Sequence, residues 1–71
     1  MALSDLVRML NQITANFSYE DHAQAAEDVA VHLRSFWTPQ MRAEILEHAR
    51  AGGGDLSEVS RMALEALARL P

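Results

Sequence analysis

Three histidines, Glu44, five serines and one glycine run are the residues of this chain whose types and spacing could do chemistry. Glu44 and His48 stand four apart, which on a helix sets a carboxylate and an imidazole on one face at a two-ligand metal spacing. His22 and His32 lie elsewhere and would have to converge through folding. Two ligands do not make a site, and Glu with His at this spacing reads first as a helix-surface pair. His48 near a helix C-terminus also suits the dipole when it is protonated. Ser4, Ser18, Ser35, Ser57 and Ser60 offer hydroxyls, but none stands in a nucleophile-elbow sequence, and no Cys supplies a thiol. Gly52-Gly53-Gly54 is followed by Asp55, an acid where a phosphate-cradling loop needs a base. Catalytic, cofactor-binding and metal-binding residues are therefore all expected to be absent.

Composition narrows the class further. The chain has 71 residues, enough for a single small domain spanning 1–71 whose core is near the lower limit for standing alone. Apolar residues make up 49%, too many for a disordered chain, and much of that is Ala. The net charge is -4 with no Lys, so no basic block is available to collect nucleic-acid or lipid phosphates. All six cations are Arg, which suits bidentate contacts with carboxylates and equally a GC-rich genome. The lack of Cys removes disulfides, Cys-type zinc sites and Fe–S ligation by this chain. Met1 to Asp5 show no charged n-region leading into an apolar run, and no stretch approaches transmembrane length. The chain reads as soluble and cytoplasmic.

The elements that must position any site are all helical. Ser4 before Asp5 is a candidate N-cap, and Leu6, Leu10, Ile13 and Phe17 recur at spacings of four, three and four. They predict an amphipathic helix over about 4–17, flanked by the amides of Asn11, Gln12 and Asn16. Those amides are either solvated or bonded to a partner's backbone. Ser18-Tyr19-Glu20-Asp21 form a short break, at whose end Asp21 caps a second helix over about 21–36, and Ala23, Ala26, Val29, Ala30 and Leu33 give it a small-residue face suited to close helix approach. Thr38 as N-cap with Pro39 at the first helical position opens a third helix over about 39–51, with Met41, Ile45, Leu46 and Ala49 inward. Gly52 to Gly54 end it and form the one flexible joint. Asp55 at the cap with Glu58 three residues on announces a last helix over about 56–70, carrying Val59, Met62, Ala63, Ala66, Leu67 and Leu70. With no period-two alternation, the fold class is an all-α bundle of three to four short helices.

The corner between the second and third helices is the most informative stretch. Pro39 pushes Thr38 out of the helical region, so the second helix stops by about Trp37, leaving Phe36 and Trp37 together at the turn. Phe36 is expected as a core anchor, and Trp37 as either core or partner contact. A helix-turn-helix DNA reader is topologically conceivable here, but Arg42 and Arg50 are offset by Glu44 and Glu47.

Leu6-Val7-Arg8-Met9, Asn11-Gln12-Ile13, Asn16-Phe17 and the run from His32 to Arg42, taken together, resemble the delta subunit of bacterial cytoplasmic, molybdenum-dependent, NAD-linked formate dehydrogenases. The Phe-Trp-x-Pro-x-Met-Arg corner is the most specific part and the Arg-Met-x-Asn-Gln-Ile run the second. Thr38 stands where the family often has an acid and Leu10 where it often has a smaller residue. The resemblance implies a non-catalytic accessory chain associated with assembly or stability of the active complex. In such complexes the alpha subunit carries the bis-molybdopterin guanine dinucleotide and most Fe–S clusters. The beta and gamma subunits carry FMN, further Fe–S clusters and the NAD site. Trp37, Arg34, Arg42, Asn11 and Asn16 are then the expected contacts with the alpha subunit. A self-associating helical protein, homodimeric through its narrow apolar stripes, is the competing expectation.

Overall fold

The structure is a computed structural model that describes residues 1–17 and 21–71, so the break expected over Ser18 to Asp21 lies outside the described residues except for Asp21. The described residues form four helices: α1 (Leu3–Asn16), α2 (His22–Phe36), α3 (Pro39–Arg50) and α4 (Glu58–Arg69). The all-α expectation holds, with each helix within two residues of its predicted bounds.

The helix ends show why. Asp21 Oδ1 accepts from the backbone N–H of Ala23 at 3.0 Å and of Gln24 at 3.2 Å, and Thr38 Oγ1 accepts from Met41 N–H at 3.2 Å. Both satisfy orphan donors at a helix start. α1 begins one residue early, with Ala2 at the cap making no side-chain bond, so Ser4 lies inside the first turn beside Asp5, whose charge suits the helix N-terminus. The cap of α4 is Ser57, not Asp55: Ser57 Oγ accepts from Ser60 N–H at 3.1 Å. Gly53 and the burial of Leu56 displace the helix start, and Asp55 turns to His48 instead.

The glycine run, expected as a flexible joint, is a clasped turn. Gly52 and Gly53 adopt φ of +123° and +50°, values that an L side chain resists. Gly53 is buried, and a Cβ there would stand 2.9 Å from Leu56 Cδ1 and 3.2 Å from Ala49 Cα. Arg61 Nη2 donates to the carbonyls of both Gly52 and Gly53, and Leu56 N–H returns to Gly53 O at 3.0 Å.

One apolar cluster draws on all four helices: Leu6, Val7 and Leu10 from α1, Ala26, Val29, Ala30 and Leu33 from α2, Ile45 from α3, and Ala63, Leu64, Ala66 and Leu67 from α4, joined by Trp37 and Leu56. α2 and α4 make the most extensive pair. Buried Ala25, Ala26 and Ala30 on one helix and Ala63 and Ala66 on the other let their backbones approach. The predicted face of α2 needs one exchange, since Ala25 is buried and Ala23 is exposed. On α4 the stripe is turned so that Ser60 and Leu64 are inside, whereas Val59, Met62 and Leu70 are only half-buried. α3 contributes Ile45 fully and Met41, Leu46 and Ala49 partly.

Candidate functional site

Packing sends the residues with chemical potential to separate places. His48 Nε2 and Asp55 Oδ1 meet at 2.6 Å across the glycine turn. The hydrogen bond from His48 is the main reason the Asp55 carboxyl is held below its ordinary value. Glu44, the expected partner of His48, accepts only a long bond of 3.5 Å from Gln40 Nε2. Among the described residues no three His, Cys, Asp or Glu side chains gather into a metal-holding group. His22 lines a groove of about 270 Å³ with Asn11, Thr14, Phe17 and Ser57. The amide and hydroxyls of that groove are already engaged in bonds within the chain.

Those bonds form a polar cluster tying α1 to the start of α4. Asn11 Oδ1 accepts from Ser57 N–H at 2.9 Å and from Ser60 Oγ at 2.8 Å, while its Nδ2 donates to Asp55 O at 2.9 Å. Thr14 Oγ1 donates to Asn11 O at 2.9 Å and lies 3.1 Å from Ser60 Oγ, and Ser57 Oγ donates to Ser60 Oγ at 2.8 Å. Thr14 and Ser60 are the buried polar residues, and no buried side-chain N or O among the described residues lacks a partner. Such a cluster fixes the docking of two helices because each buried donor left alone would cost free energy.

Of the five expected partner contacts, three serve the chain itself. Asn11 bonds backbone, as anticipated for an amide in that position, but the backbone is its own. Arg42 Nη1 donates to Arg34 O at 2.7 Å, so its guanidinium reaches across the corner to satisfy an orphan carbonyl at the C-terminus of α2, where a cation is favoured. Trp37 is 6% exposed and belongs to the core. Arg34 and Asn16 are exposed.

Phe36, expected as a core anchor, is 75% exposed. The reason lies in helical rows. Val29, Leu33 and Trp37 fall four apart on the inner face, and Trp37 N–H still bonds Leu33 O at 2.9 Å before its extended ψ of 144° ends the helix. Phe36 instead continues the row of Asp28 and His32 along the flank. Its ring lies 4.8 Å from that of His32, which in turn meets Phe17 edge-on at 6.1 Å. With Val31 55% exposed, the last turns of α2 carry an apolar and aromatic surface that the pairing of Phe36 with Trp37 in the sequence conceals. The spacing of four from Leu33 to Trp37 and from His32 to Phe36 was the signal available for separating them.

Among the described residues no helix is long and apolar enough to cross a membrane. No curated protein and no solved structure matches the chain. A family model described as the NADH-dependent formate dehydrogenase delta subunit FdsD matches residues 5–64, from the first turn of α1 into the middle of α4. The match takes in the polar cluster, the corner and the clasped glycine turn, and by it the chain belongs to the NADH-dependent formate dehydrogenase delta subunit family.

Proposed function

We propose that this chain is a cytoplasmic, non-catalytic accessory subunit that binds the molybdenum-containing alpha subunit of an NAD-dependent formate dehydrogenase and supports its assembly or stability. The observation that carries the reading is the family match over residues 5–64. The use of the chain's own groups is in keeping with it: the hydroxyls of Ser57 and Ser60 and the amide of Asn11 hold a helix cap, and His48 holds Asp55. In this reading formate oxidation belongs to the whole complex, and the molybdopterin guanine dinucleotide, Fe–S clusters, FMN and NAD site lie on the alpha, beta and gamma chains.

The test is native purification of the tagged chain from its own host, with formate-dependent NAD reduction assayed in the same fraction. A strain lacking the chain is compared alongside. The expected result is co-purification of the alpha subunit with activity, and a loss of activity in the deletion strain that the wild-type chain restores. Recovery of the chain free of any formate dehydrogenase subunit, together with full activity in the deletion strain, refutes the proposal.

A further inference from the structure

We infer that the C-terminal turns of α2 are the face on which another subunit of the complex docks, with Phe36 seated in an apolar pocket of that subunit and Arg34 paired to a carboxylate at its rim. The inference rests on the accessory-subunit reading and adds the surface and the chemistry of what meets it.

At about 100° per residue, the side chains at the end of α2 run around the helix in the order Arg34, Val31, Ser35, His32, Phe36, roughly half its circumference. Of residues 31–36, Leu33 alone is buried. Val31 and Phe36 are two of the chain's largest exposed apolar side chains. The Phe36 ring is held on one side by His32, and a ring held in place loses little freedom when a pocket closes over it. Aromatic and Arg side chains are the residue types that concentrate at interface hot spots.

Charge identifies the occupant. Arg8 pairs with Asp5, Arg50 with Glu47 and Arg69 with Glu27. Arg42 and Arg61 donate to backbone carbonyls. Arg34 alone among the described arginines has a guanidinium with no partner. The acids that share its helix are engaged, Glu27 by Arg69 at 3.4 Å and Asp28 by the Gln24 amide at 3.0 Å. An unpaired Arg beside an exposed ring, in a chain of net charge -4, calls for a carboxylate from outside. A second copy of this chain is the poorer fit: a two-fold pairing sets the same patch against itself, and the described acids of α2 nearest to it, Glu27 and Asp28, already have partners.

The test places the photo-crosslinking residue p-benzoylphenylalanine at Phe36 or, as a control, at exposed Ala68 on α4, in the tagged full-length chain expressed in its host. Recovery of formate dehydrogenase subunits is measured in parallel for wild type, Phe36→Asp, Arg34→Glu and Ala68→Asp, with far-UV circular dichroism as the check on folding. The expected result is a crosslink from position 36 to a formate dehydrogenase subunit, in a peptide containing Asp or Glu, and none from position 68. Recovery falls at least tenfold for Phe36→Asp and several-fold for Arg34→Glu, and is unchanged for Ala68→Asp. Normal recovery with both α2 variants overturns this surface and leaves the accessory-subunit reading standing. A crosslink from position 36 to a second copy of the chain overturns the choice of occupant. Failure of the wild-type chain to recover any subunit overturns both.

Discussion

Asn11→Ala is the substitution that most sharply separates an internal role from a partner contact. The amide makes three bonds to the start of α4: it accepts from Ser57 N–H and Ser60 Oγ and donates to Asp55 O, all at 2.8–2.9 Å. A net contribution of about 1 kcal/mol per bond gives a loss of about 3 kcal/mol. Ser60 is fully buried, so its hydroxyl loses an acceptor where water does not reach. A domain of this size shifts by roughly 4–8 °C per kcal/mol, so the melting midpoint should fall by about 12–24 °C. The assay is thermal and urea unfolding of the full chain followed by circular dichroism, in a double-mutant cycle with Ser60→Ala. A coupling of about 1 kcal/mol is expected between the two positions. An Asn11→Ala loss below about 1 kcal/mol, or a loss unchanged in the Ser60→Ala background, refutes the assignment of Asn11 to the α4 cap. If Asn11 instead faced another subunit, the melt would stay put and recovery of the complex would drop.

Trp37→Ala should destabilise the chain by about 3–5 kcal/mol, the range for emptying a core site of that size, while Phe36→Ala stays within about 0.5 kcal/mol; equal effects in urea unfolding would contradict the opposed placement of the two rings. Gly53→Ala should cost about 1–3 kcal/mol, because φ is +50° and the new methyl meets Leu56 and Ala49, whereas Gly54, with open space around it, should accept Ala at little cost. The folded-state pKa of Asp55 lies below its ordinary value, so the pair's contribution is complete above the ordinary carboxylate pKa and disappears as pH falls through the folded one. Asp55→Asn should flatten that part of the acid unfolding curve, and an unchanged slope would show that the contact with His48 contributes nothing.

Local chemistry made most of the fold legible. Asp21 and Thr38 cap because a short oxygen-bearing side chain ahead of an apolar-periodic run has few better uses, and Pro39 fixes where α2 must stop. Asp55 misled because two acids three apart imitate a capping box, whereas the real start of α4 depends on Gly53 folding Leu56 inward, a tertiary effect. Asn11 and Arg42, expected as contacts with another subunit, bond this chain's own backbone, and spacing along one helix does not reveal that this backbone lies 44 and 46 residues away for Asn11, or across the corner for Arg42. Size conceals the exposed surface at Phe36, since a large ring beside Trp has the type of a core residue and only its helical row sets it on the flank.

The ties of α1 and α2 to α4 also set the order in which this chain can fold. Asn11 and Thr14 find their partners at Ser57 and Ser60, and α2 packs chiefly on α4, so both earlier helices wait for the last of the four. The ribosome needs about 3–12 s to pass from Leu6 to Leu67, whereas helices form and small chains collapse within microseconds. During that interval the core lacks Ala63, Leu64, Ala66 and Leu67, the part that α4 supplies. Folding of this chain is therefore cooperative across its length, and α2 gains its main packing partner only once α4 has left the exit tunnel.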